Sequence, residues 1–234
     1  CCRTFFLVRP LITHLRIDWP IFKLLISIGI PTSIQMVMIS LAAIAVISFV
    51  NSFGSHATAA FGAVNQVVSY VQMPAGSLGI TVSIFGAQAI GAGYNKKLNK
   101  IIRTGVWMNY VIVGIFALLT YLFGRQILSL FLTDTSTLDM AYKLLLITLW
   151  SYPIFGNANI LAGIMRASGV VFWPTLLAIF SIWGAEVPVA YIMHTKIGLE
   201  GVMIGYPAAF IVGLILQYCY YHFFWKQKEH ARLV

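Results

Sequence analysis

Long apolar runs broken by short charged stretches dominate the chain. No Asp, Glu, Lys or Arg occurs between Lys23 and Lys96, a window of 72 residues. Further charge-free windows cover 104–124, 144–165, 167–185 and 201–225. One membrane-spanning helix needs about 20 mostly apolar residues, so the first window holds two spans. They divide at the turn-forming stretch Asn51-Ser52-Phe53-Gly54-Ser55-His56. The pattern predicts six transmembrane helices, over 22–50, 57–91, 101–123, 139–166, 170–193 and 200–224. The fold class is therefore an all-α polytopic membrane protein. A connecting stretch (1–20) leads into a six-helix transmembrane lobe (21–225), and a basic tail (226–234) follows.

Composition agrees. Of 234 residues, 60% are apolar and 9% charged, against about half and about a quarter in a soluble domain. Fifteen Lys and Arg against six Asp and Glu give a net charge of +9. In a soluble chain that balance points to nucleic acid. Here the basic residues sit at the ends of apolar runs and point to an anionic lipid surface instead.

Basic residues also set an orientation. Arg3, Arg9, Arg16 and Lys23 precede the first span. Lys96, Lys97, Lys100 and Arg103 follow the second, Arg166 the fourth, and Lys226, Lys228 and Arg232 the sixth. The alternate loops hold only Arg125, Lys143 and Lys196. Twelve against three in strict alternation puts both termini in the cytoplasm. The first residues lack the order of a signal peptide, and a chain that begins with Cys is expected to be part of something longer. Cys1, Cys2 and Cys219 have no metal-ligand spacing. In a reducing cytosol they are expected to be free thiols.

Several features inside the spans bear on packing and chemistry. Ala75, Gly79, Ser83, Ala87 and Gly91 recur every fourth residue, a small-residue stripe that lets a neighbouring backbone approach. Gly201 and Gly205 offer a shorter version. Prolines fall within or beside most spans, and Pro74 and Pro188 are expected to bend their helices at mid-span. Amides occur on three helices: Gln35 with Ser33 and Ser40 on the first, Asn65 and Gln72 with Ser69 on the second, Asn157 and Asn159 on the fourth. Each amide either joins helices or lines a cavity.

Glu186 is the sharpest residue. It lies near the middle of the fifth span, where a carboxylate costs about 2.5–3.5 kcal/mol on insertion scales. It either exchanges protons or attracts a cationic substrate, or it is a protonated carboxyl bonded to a neighbouring helix. No nucleophile elbow, phosphate-binding glycine loop, paired carboxylate or His cluster is present. Neither enzyme nor cofactor chemistry is expected.

Five segments together resemble one family. Gly29-Ile30-Pro31-Thr32-Ser33 is similar to the opening of the second lobe in multidrug and toxic compound extrusion (MATE) transporters. Gly86-Ala87-Gln88-Ala89-Ile90-Gly91-Ala92-Gly93 resembles the family's helix end before a basic loop. Gly163-Ile164-Met165-Arg166-Ala167-Ser168-Gly169 is similar to the turn after its tenth helix. Glu186-Val187-Pro188-Val189-Ala190-Tyr191 and Gly198-Leu199-Glu200-Gly201-Val202 resemble its eleventh helix and the start of the twelfth.

The likeness covers residues 10–225 and implies the second lobe, helices seven to twelve, with 1–20 as a cytoplasmic inter-lobe linker. It implies a bacterial inner-membrane antiporter that exports organic cations and drugs in exchange for H⁺ or Na⁺ by alternating access. The partners would be lipid, small cationic or amphipathic substrates, and an N-terminal lobe supplied by the same longer chain or by a second copy. The substrate and ion pathway is expected to use Glu186, Asn65, Gln72, Asn157, Asn159 and Gln35. Two departures stand out. The stretches from Gln35 to Ser40 and from Ile164 to Ser168 lack the carboxylates that some members use for coupling, and the position of Glu186 is more often basic or neutral. A lipid-linked saccharide flippase of the same superfamily, or a truncated protein without transport activity, are the alternatives.

Overall fold

A computed structural model describes residues 18–227, so most of the linker and the end of the basic tail lie outside the described residues. Asp18 accepts a hydrogen bond from the Ile21 amide at 3.4 Å, and Pro20 occupies the first turn, where a missing N–H costs nothing. From this start the chain forms α1 (Trp19–Asn51), α2 (Ser55–Gly91), a short 3₁₀ turn (Asn95–Lys97) and α3 (Leu98–Ser129). It continues through α4 (Thr135–Leu149), α5 (Tyr152–Ala167), α6 (Phe172–Ser181), a π turn (Ile182–Glu186) and α7 (Val187–Ile197). Last come α8 (Leu199–Tyr220) and a second π turn (Tyr221–Trp225). There is no strand among the described residues.

Five helical stretches are long and apolar enough to cross a membrane: α1, α2, α3, α6 with α7, and α8. The sixth is α4 with α5, bent by 43°. The sequence predicts one helix over 139–166, and the structure divides it in two. Pro153 has no N–H for the carbonyl one turn back, and its ring crowds that carbonyl. The chain restarts at Ser151, whose carbonyl accepts from the Ile154 and Phe155 amides at 3.0 and 3.1 Å. The two mid-span prolines sit in different local structures. α2 continues through Pro74. Ahead of Pro188 the helix widens instead, and the Val187 amide reaches back to the Ile182 carbonyl, which accommodates a residue that cannot donate.

The tightest seam joins α2 to α5. A Cβ added at Gly79 would sit 2.9 Å from the Asn159 carbonyl oxygen, and one at Gly163 would run into the carbonyl of Gly79. Further along, a Cβ at Gly86 would meet Ile164 Cδ1 at 2.6 Å and Ala167 Cβ at 2.9 Å. The seam thus runs through Ala75, Gly79, Val82, Gly86 and Ile90, all buried. It leaves the expected four-residue stripe after Gly79. Ser83 is half-buried, Ala87 and Gly91 are exposed, and a Cβ at Gly91 meets nothing within 4 Å. The cause is helical pitch. At about 100° per residue, a four-residue repeat drifts about 40° each step, so Gly91 faces away from Ala75. A Cβ added at Gly205 would sit 2.8 Å from the Glu186 carbonyl oxygen, and one at Gly201 would run into the Met193 carbonyl, so the last helix also holds the fifth span closely.

Side-chain bonds tie the helix ends. Tyr221 Oη donates to Asn99 Oδ1 at 3.3 Å, and Trp225 Nε1 to Ser168 Oγ at 2.7 Å. These join the ends of α8 and α5 to the start of α3, the face that carries Lys96, Lys97, Lys100, Arg103 and Lys226 (the basic face). On the opposite face Asp134 caps α4, accepting from the Thr137 amide at 2.9 Å and from the Ser136 and Thr137 hydroxyls at 2.6 Å. His56 lies 2.9 Å from Thr137 Oγ1 and 3.8 Å from the Asp134 carboxylate, linking the α1–α2 turn to α4.

Gly163→Ala is expected to force α2 and α5 apart and to cost about 1–3 kcal/mol, read as a lowered unfolding temperature in detergent. Gly91→Ala should be neutral. The Asp134 carboxyl is held well below the usual carboxylate range by the Ser136 and Thr137 hydrogen bonds. A depressed folded value stabilises above the ordinary carboxylate pKa and is lost as pH falls. Asp134→Asn should therefore lower the unfolding temperature at neutral pH, and the gap to the parent should close under acid.

Candidate substrate cavity

Five helical faces converge on a cavity of about 470 Å³. Each contributes residues at alternating three- and four-residue steps, the spacing that keeps side chains on one face of a helix. α5 gives Tyr152, Phe155, Asn159, Ala162 and Arg166; α8 gives Tyr206, Phe210, Gly213 and Gln217. From α2 come Asn65, Val68 and Gln72, and from α1 Gln35, Ile39 and Ala42. The fifth span supplies Thr175, Ala178, Ile182 and Glu186, the π turn shifting the register so that Glu186 arrives on the cavity wall.

The wall is aromatic towards the face opposite the basic loops. Phe155 and Phe210 lie 4.9 Å apart between ring centroids, Tyr152 and Phe210 5.5 Å, and Tyr206 and Phe210 6.5 Å. Glu186 shares this end. Its side chain is 8% exposed, and among the described residues it has no ion-pair partner. A carboxylate beside aromatic rings provides charge and ring faces for an organic cation.

Five of the six expected pathway residues, Gln35, Asn65, Gln72, Asn159 and Glu186, line this cavity. Asn157 does not. It lies two positions from Asn159, about 200° round the helix, and turns towards α3. There Asn109 Nδ2 donates to the Pro153 carbonyl at 2.8 Å and to Asn157 Oδ1 at 3.0 Å, while Asn157 Nδ2 donates to Tyr110 Oη at 2.9 Å. Gly156 leaves the space this needs, since a Cβ there would strike the Asn109 amide. Asn157 joins helices beside the bend. Asn159 spends its Nδ2 on the Phe155 carbonyl at 2.9 Å and leaves its oxygen uncommitted. The serines expected to add polarity turn inwards on their own helices: Ser40 donates to the Met36 carbonyl and Ser69 to the Gln66 carbonyl.

Sequence reasoning missed Asn109, the aromatic cluster and Gln217, and placed Arg166 only near a span end facing a possible cavity. The signal was present for Arg166, which stands seven residues after Asn159 on one helical face. It was equally present for Gln217, seven after Phe210. Asn109 announces itself only through its partners on α5, 44 and 48 positions away.

Six candidate spans folded about a mostly apolar cavity that carries a few polar groups define an integral membrane protein of the polytopic, cavity-bearing class. Residues 31–192 match the family model MatE. The chain is 57% identical over 223 residues to the "Probable multidrug resistance protein YoeA" of Bacillus subtilis, covering 94% of this chain and 48% of that protein. In fold it is similar to a MOP-superfamily transporter from Pyrococcus furiosus, with TM-score 0.80, 18% identity and coverage of 91% of this chain and 47% of that one. It is also similar to the Vibrio cholerae MATE transporter VcmN in its bent form, with TM-score 0.80, 17% identity and coverage of 89% and 47%. The chain belongs to the MatE family. It spans about half the length of these relatives.

The two kinds of amide separate in a stability assay. Asn157→Ala should remove the bonds to Asn109 and Tyr110, leaving Asn109 only the Pro153 carbonyl, and cost about 0.6–2 kcal/mol, lowering the unfolding temperature in detergent. Asn65→Ala and Gln72→Ala, on the open wall, should leave it unchanged.

Proposed function

We propose that this chain is the second lobe of a cation-coupled antiporter that exports organic cations and drugs by alternating access. The observation that carries the reading is the position of Glu186, an unpaired intramembrane carboxylate on the wall of an aromatic cavity. An ionisable residue inside the bilayer is retained for function by default. Glu186 binds the cationic group of the substrate, and competition there by H⁺ or Na⁺ couples export to ion entry. Asn65, Gln72, Gln35 and Asn159 supply adaptable hydrogen bonds around it. A MatE relative named for multidrug resistance, 57% identical to this chain, supports the substrate class.

The other lobe completes the pathway, from the same longer chain or from a second copy. The excess of basic residues on one face supports a cytoplasmic location for both ends of the chain, in a bacterial inner membrane. A lipid-linked saccharide flippase would need a cationic cavity for its diphosphate. This cavity holds one arginine against one glutamate, which favours the drug exporter.

In the full-length transporter, Glu186→Gln should reduce export of an organic cation such as ethidium at least about tenfold, the scale of one lost charge-assisted contact, and flatten its pH dependence. Unchanged export with an unchanged pH profile would remove Glu186 from both roles.

A further inference from the structure

The cavity has a second charged end that the cation-binding reading does not use. Arg166 and Glu186 are the two charged residues on its wall. Arg166 closes the α5 face at the basic side, and Gln217 closes the α8 face there. From Tyr206, beside the glutamate, to Gln217 is eleven residues of α8, about 16 Å at the rise of an α-helix. Glu186 and Arg166 form no ion pair with each other.

An arginine at a helix end ordinarily extends its head towards water. Arg166 turns the other way. Its Nε donates to the Ala162 carbonyl at 3.2 Å, one turn back along α5, and Ala162 is itself a cavity residue. The ion pairs among the described residues are His56 with Asp134 and Arg125 with Asp139, so among the described residues no carboxylate answers Arg166. Gln217, 3% exposed, is pinned by donation from Nε2 to the Pro174 carbonyl at 2.8 Å, and its Oε1 is buried without a partner. Among the described residues the basic end therefore presents a guanidinium held by protein only at Nε, beside an amide whose oxygen is buried without a partner.

We propose that this end is a second substrate subsite, in which Arg166 receives the carboxylate of a zwitterionic amphiphile whose cationic end lies towards Glu186 and the aromatic rings. A guanidinium fork matches a carboxylate with two parallel hydrogen bonds, and in a cavity walled by hydrocarbon such a contact is weakly screened. The subsite rests on the reading of the cavity as an organic-cation site and extends it. Substrates carrying both charges gain an anchor that purely cationic ones lack.

The test uses one dye in two forms, tetramethylrhodamine with its free carboxylate and the methyl ester of the same dye, a plain cation. Fluorescence polarisation measures the affinity of each for the purified full-length transporter, its Arg166→Gln variant and its Arg166→Lys variant. Arg166→Gln should weaken the carboxylate form about tenfold, the loss of one charge-assisted contact, while the ester binds as to the parent. Arg166→Lys should recover part of the loss, because it keeps the charge without the fork. Unchanged ester binding also reports that the variant is folded. Equal weakening of both dyes, or of neither, would overturn the subsite and leave the cation site standing. A parent transporter that binds neither dye would overturn both.

Discussion

Between α2 and α5 the two backbones touch, because Gly79 and Gly163 leave no side chain between them. Hydrocarbon solvent gives helices no hydrophobic reason to associate, so close van der Waals approach has to supply the attraction. The rest of the lobe depends on this contact. It presents the Tyr152–Arg166 face of α5 to the cavity and the Asn157 side to α3. α8 repeats the device with Gly201 and Gly205 against the fifth span. With both seams closed on glycine, the remaining space falls between α1, α2, α5, the fifth span and α8, and it is lined by whatever those faces carry.

The same solvent explains why the polar groups divide as they do. A polar group in hydrocarbon costs several kcal/mol unless it finds a partner. Asn109, Asn157 and Tyr110 find partners in one another and in the carbonyl of Pro153, beside the bend that this proline produces. The cavity amides bond differently. Asn159 and Gln217 each bind one backbone carbonyl through nitrogen and keep an oxygen free. Arg166 binds a single carbonyl through Nε. The groups that hold the lobe together bond side chain to side chain across helices, although Asn109 keeps one buried oxygen without a partner, and those named on the cavity wall bond a single backbone carbonyl each.

Charge-free windows and the alternation of basic loops were enough to place six spans, because hydrocarbon thickness and loop charge act on sequence directly. The bend at Trp150–Ser151 was hidden because Pro153 carries the same sequence signal as Pro74, which α2 accommodates without breaking. Tertiary packing decides between them. The four-residue stripe misled for a geometric reason: a helix turns 3.6 residues, not four, so only Ala75 and Gly79 stay on the seam. Asn157 and Asn159 look equivalent as neighbouring amides and separate once helical angle is applied. Arg166 reads in sequence both as a positive loop residue and as one near a span end facing a possible cavity, and the structure puts it on the cavity wall. His56 and Asp134 lie 78 positions apart in sequence, and no local spacing could join them.

The central claim is that an organic cation occupies this cavity at the Glu186 end. Anomalous diffraction from crystals of the full-length transporter soaked with a bromine-bearing phosphonium cation tests it most directly. The account predicts a bromine peak among Tyr152, Tyr206, Phe210 and Glu186, absent from crystals of the Glu186→Gln variant soaked in the same way. A bromine peak confined to another part of the transporter, with this cavity empty of cation, would contradict it.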